Sequence, residues 1–230
     1  MRDFFNYDGP FFSFIGKLGQ LIILTVLSVI CSLFVFTFGA AMTALYYAIV
    51  KSIRRGRGSY IAEYFRAFKQ NLLKGTFLTL VFSAIVSVAY VGRDSITAYL
   101  AGEVPTLGNF MIPDDPKLCI ILVVAYIAIM VVCAFILIHL FPVLSRFSMS
   151  IGSIVRLAFV ISIRYFYYTI ALIFVLAGMI YVQLFYLPLV TVLFLPGLYY
   201  YISSFITEKC MKKYTPENTD PEVDAWWLEE

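Results

Sequence analysis

Four stretches of this chain contain no charged side chain: Leu18 to Val50, Gly75 to Gly92, Leu118 to Ser145 and Tyr165 to Thr207. A bilayer's hydrocarbon core, about 30 Å thick, takes roughly 20 apolar helical residues to cross, and a Lys, Arg or Asp at its centre costs at least ~2.5 kcal/mol. Charge-free runs of this length therefore constrain the chain to an integral membrane fold. Composition agrees: 62% of the 230 residues are hydrophobic and only 13% are charged, which leaves little polar sequence for a separate soluble domain.

The distribution of basic residues sets an orientation. Lys51 to Lys74 holds seven Lys and Arg against Glu63 alone, whereas Arg93 to Lys117 holds two against Asp94, Glu103, Asp114 and Asp115. By the positive-inside bias the first is cytoplasmic and the second outside. Arg146, Arg156 and Arg164, with no acid between them, mark a second inner segment. The 43 residues from Tyr165 to Thr207 are twice a span, and Gln183 to Pro188 interrupts them with an amide, Tyr186 and a proline, which predicts a hairpin turning outside.

The expected fold is all-α, a polytopic transmembrane helical bundle of about five spans near residues 18–38, 75–92, 118–141, 165–183 and 188–207. Together with the loops these form a membrane domain over residues 1–207, followed by a charged cytoplasmic tail over 208–230. The N-terminus is expected outside. Leu18 to Val50 is too long for one span and short for two. The favoured reading breaks it at Gly39, Ala40 and Ala41, with a short apolar helix then lying at the inner interface; two short crossings are the alternative. Met1 to Lys17 mixes Asp3 and Asp8 with five phenylalanines and does not read as a cleavable signal.

One inner segment is periodic. Tyr60, Ile61, Tyr64, Phe65, Phe68 and Leu72 recur at helical spacing, with Glu63, Arg66, Lys69, Gln70 and Lys74 on the other face and Gly56 and Gly58 before it. This predicts a basic amphipathic helix at the inner face. Arg54, Arg55, Arg57, Arg66 and Lys69 are its candidate contacts to anionic lipid or to a partner protein.

Catalytic signals are missing. The spans offer His139, Gln183 and hydroxyls but no carboxylate, and there is no phosphate-binding glycine loop, serine elbow or H-E-x-x-H. Cys31, Cys119, Cys133 and Cys210 are scattered, and one histidine cannot complete a zinc set. The expectation is a protein that is not an enzyme, has no cofactor or metal and does not bind nucleic acid. A neutral-solute carrier needs a polar pocket at the membrane midplane, for which Ser83, Ser87, Tyr90, Gln183 and Tyr186 are the candidates.

Several local motifs carry a resemblance: Phe4-Phe5-Asn6 with Gly9, Thr37-Phe38-Gly39-Ala40-Ala41-Met42-Thr43-Ala44-Leu45-Tyr46-Tyr47, Phe65-Arg66-Ala67-Phe68-Lys69-Gln70-Asn71 and Phe141-Pro142-Val143-Leu144-Ser145-Arg146-Phe147. In order and spacing the chain resembles, to about Thr207, the YesL-like family of bacterial membrane proteins of unknown biochemical function. It departs in lacking a proline near Phe36-Thr37-Phe38 and in a longer Arg93 to Lys117 loop. The resemblance implies a multi-pass protein of the bacterial cell membrane encoded beside carbohydrate uptake and polysaccharide breakdown systems. It transfers no catalytic residue. The functional expectation is an accessory or regulatory component linked to carbohydrate uptake or utilisation, whose partners are the bilayer, a carbohydrate transporter or sensor component, and a second copy of itself. The alternative is a small permease for a sugar or other neutral solute.

Overall fold

A computed structural model describes residues 10–100, 106–107, 110–111, 116–185 and 188–214. Among these, seven α-helices account for nearly all the structure: α1 (Pro10–Cys31), α2 (Phe38–Ala48), α3 (Tyr60–Leu100), α4 (Pro116–Arg146), α5 (Ile151–Arg164), α6 (Phe166–Phe185) and α7 (Pro188–Lys212). A two-residue antiparallel pairing, Thr106–Leu107 with Phe110–Met111, joins α3 to α4. Two helices, Val124–Arg146 and Phe166–Phe185, are long and apolar enough to cross a membrane, with mean hydropathies of 2.8 and 2.1, and Ile15–Cys31 is a shorter apolar helix. Only 11% of Phe166–Phe185 is buried by the rest of the protein. Phe174, Leu184 and Phe185 stand about 70% exposed on it, a surface matched to hydrocarbon and not to water.

At the centre lies α2. Gly39, Ala40, Ala41, Thr43, Ala44, Leu45 and Tyr46 are all buried, and the helix packs against α1, α3, α4 and α7. Sequence reasoning placed this segment at the inner interface after a break at Gly39 to Ala41. The break instead falls at Ser32 to Thr37, where side chains compete for the helical carbonyls: Ser32 Oγ donates to the Val29 carbonyl at 2.9 Å, and Thr37 Oγ1 reaches the Cys31 and Phe34 carbonyls at 2.5 and 2.8 Å. Gly39 and its neighbours serve another purpose. They let α2 and α3 touch backbone to backbone, with the Gly39 amide donating to Thr79 Oγ1 at 2.8 Å and Thr79 Oγ1 donating to the Gly75 carbonyl at 2.8 Å.

Beyond Ala48 the chain widens into a π-helical turn, Ile49–Arg54, and then reverses through Gly56 and Gly58, both at positive φ (68° and 71°), which other residues adopt at a cost. The basic segment that follows is not a separate surface helix. No proline or capping signal stands between Lys74 and Gly75, so amphipathic and apolar parts run on as one helix, α3, of 41 residues. Its expected apolar stripe divides. Tyr64 and Ala67 are buried and Phe68 is half-buried against the core, whereas Ile61 and Phe65 remain 40% and 48% exposed.

Three hydroxyl and imidazole contacts join α4, α5 and α6. Ser162 Oγ donates to the Phe135 carbonyl at 2.6 Å, and Thr169 Oγ1 lies 3.0 Å from His139 Nε2 and 3.2 Å from the Ser162 carbonyl. His139 is fully buried between these helices.

Candidate functional site

Two features stand out in the bundle, one charged and one apolar. The charged one gathers where α2, α4 and α7 end together. Glu208, 2% exposed, lies 2.8 Å from Arg146 Nη1, 3.8 Å from Arg55 Nη2 and 3.0 Å from the Tyr46 hydroxyl, which donates to it. Arg54 donates to the Ser204 carbonyl at 3.1 Å and lies over the Phe205 ring, its guanidinium carbon 4.5 Å from the centroid. Nearby, buried Lys51 pairs with Glu63 at 3.2 Å and contacts the Tyr47 hydroxyl at 3.3 Å, and Lys74 Nζ donates to the Met149 carbonyl at 2.8 Å. A carboxylate withdrawn from water is tolerable when guanidinium and hydroxyl donors satisfy its oxygens, as here. On the same end of α7, Cys210 is a buried thiol outside any disulfide.

Exposure divides the five candidate basic contacts. Arg54 and Arg55 are committed to α7, while Arg57, Arg66 and Lys69 are exposed. The sequence reading began a tail at Glu208. In the structure α7 continues to Lys212, and Glu208, Cys210 and Met211 belong to the core. Glu208 was legible only as the first acid after a long apolar run; nothing local marks it as the partner of Arg146, 62 residues earlier.

The apolar feature is a cavity of about 730 Å³ between α3, α4, α6 and α7, closed on one side by Ser32, Phe38 and Met42 at the α1–α2 junction. Phe82, Leu137, Phe141, Leu176, Met179 and Tyr199 form most of its wall. Of the candidate polar pocket, Ser83 and Gln183 line this cavity. Ser87 is exposed on α3, where its hydroxyl donates to the Ser83 carbonyl at 2.8 Å. Tyr186 lies outside the described residues, as do the side chain of Tyr90 and the tail beyond Tyr214.

Three of the lining hydroxyls are spent within their own helices, while that of Tyr199 is buried with no partner among the described residues. Ser32 donates to Val29, Thr79 to Gly75 and Ser83 to the Leu80 carbonyl at 2.9 Å, each within its own helix. Among the described residues no Asp, Glu, Lys, Arg or His lines the cavity. Among the described residues no three His, Cys, Asp or Glu side chains come together as a metal site.

Residues 20–93, covering α2 and most of α1 and α3, match a family described as "Protein of unknown function, DUF624". No curated protein and no solved structure matches the chain. The matched third includes the α2–α3 contact and the basic turn; α4 to α7 lie outside it.

Proposed function

We propose that the protein is a multi-pass component of a bacterial cell membrane that acts by contact with another membrane protein, in an accessory or regulatory role linked to carbohydrate uptake or utilisation. The observation that favours contact over transport is the lining of the cavity. A sugar needs many directed hydrogen bonds when it leaves water, and here three lining hydroxyls already donate to their own helices. The carbohydrate link rests on the resemblance of the sequence to YesL-like proteins alone. Arg57, Arg66 and Lys69, exposed beside a rigid charged cluster, form the docking surface in this reading, and a second copy of the chain is a further candidate partner.

The reading is tested by reconstitution. Liposomes holding the purified protein should take up no mono- or oligosaccharide, with or without an ion gradient. A transporter or sensor subunit should co-purify from native membranes, and Arg66→Glu with Lys69→Glu should weaken that association in a salt-dependent way, since exposed charges are screened over about 8 Å at physiological ionic strength. Saturable uptake by the protein alone, abolished by Gln183→Ala, would establish the permease instead, the second reading that Ser83 and Gln183 in one cavity wall supports.

The proposed topology has five spans, with α1, α3, α4, α6 and α7 crossing, the N-terminus outside and the C-terminus inside. In a cysteine-free background, a single cysteine at Ser59 is expected to be shielded from an impermeant thiol reagent in intact cells, and one at Thr106 to be labelled. The reverse pattern would invert the orientation.

A further inference from the structure

The cavity between α3, α4, α6 and α7 is larger than packing defects leave, and its volume of about 730 Å³ falls within the range of sites that hold small molecules. Among the described residues its walls carry no Asp, Glu, Lys, Arg or His, so they offer an ionic occupant no counter-charge. At its edge stand Val86 and Ile180, 55% and 47% exposed, so the lining continues into the outward apolar faces of α3 and α6. An occupant can therefore enter sideways from hydrocarbon without crossing water.

With the Ser32, Thr79 and Ser83 hydroxyls donating to their own helices, the Gln183 amide at one end of the cavity and the unpartnered Tyr199 hydroxyl deeper in α7 are hydrogen-bonding groups left in its described lining. Gln183 sits two residues from the end of α6, which in the proposed topology is the depth at which a bilayer lipid carries its ester groups, while Met179 and Leu176 lie about one and two turns further in. We propose that the cavity binds one acyl chain of a membrane phospholipid, with the Gln183 amide donating to the ester carbonyl and the tail running past Met179 and Leu176 toward the ring of Tyr199. This goes beyond a partner-binding role and does not depend on it. The lipid would fill space that otherwise leaves the lining without contact atoms.

The test is native mass spectrometry of the whole protein, purified in mild detergent and exchanged with a diacyl phosphatidylglycerol or its diether analogue. Wild type is expected to retain one diacyl lipid under activation that strips surface lipid. Ser83→Trp, which fills the cavity, should reduce the retained fraction at least tenfold, and Leu176→Trp serves the same purpose should Ser83→Trp misfold. Val124→Trp, on the outward face of α4 and away from the cavity, should leave it within twofold. Gln183→Leu should weaken diacyl binding by about three- to tenfold and remove any preference over the diether lipid, the effect expected for one hydrogen bond. No retained lipid in wild type, or equal retention by wild type and a monodisperse Ser83→Trp or Leu176→Trp protein, would overturn the proposal.

Discussion

Replacing Glu208 with alanine should lower the thermal midpoint of the detergent-solubilised protein by at least about 6 °C. The carboxylate is 2% exposed and sits 2.8 Å from Arg146, whose own side chain is 3% exposed. Removing it takes from Arg146 and Arg55 the buried carboxylate that both of them face. Breaking one side of such a pair costs about 3–5 kcal/mol, and 1 kcal/mol moves the midpoint of a chain of this size by about 2–4 °C. Glu208→Ala combined with Arg146→Met should recover part of the loss, because the double variant buries no stranded charge. Measured by fluorescence-detected size exclusion after heating, a Glu208→Ala midpoint within about 2 °C of wild type would remove the cluster from the account of stability.

The second large effect is expected at the contact of α2 with α3. A Cβ added to Gly75 would lie 2.6 Å from the Ala40 nitrogen and 2.8 Å from its Cα, and one added to Gly39 would lie 2.6 Å from the Gly75 carbonyl oxygen. The obstacle in each case is backbone, which cannot rotate aside as a side chain can. Gly75→Ala should therefore cost about 1–3 kcal/mol as the helices separate, and Gly75→Val more. Gly152→Ala is the control, since nothing lies within 4 Å of its added Cβ. Equal yields and midpoints for Gly75→Val and Gly152→Ala would show that the helices can part without penalty.

How much of this could be read from the sequence depended on whether the signal was local. Charge-free runs place α4 and α6 well, because hydropathy is a property of consecutive residues. The same logic failed at Leu18 to Val50. Its 33 residues of uniform apolarity hold no charge to show that the second half turns back into the protein, and the Ser32 and Thr37 hydroxyls that end the first helix are common in apolar helices. Period reading found the amphipathic half of α3 but gave its whole apolar stripe to the membrane surface, whereas Tyr64 of that stripe is core and Ile61 and Phe65 are exposed, since apolar character alone does not say what a face packs against. Ser83 and Gln183 were found by polarity and do share a wall. Most of that wall is ordinary apolar side chains, which no sequence pattern distinguishes from packing. Glu208 eluded the sequence because pairing across 62 and 162 positions is a property of the fold.

The position of Glu208 on the last helix gives the chain an order of assembly. A ribosome delivers Tyr46, Arg55 and Arg146 before the carboxylate that joins them, so α2 and α4 wait with their basic ends hydrated until α7 arrives. A chain made only as far as α6 would hold Tyr46, Arg55 and Arg146 without the carboxylate that all three contact, so the packing of these helix ends is finished only when α7 has been made.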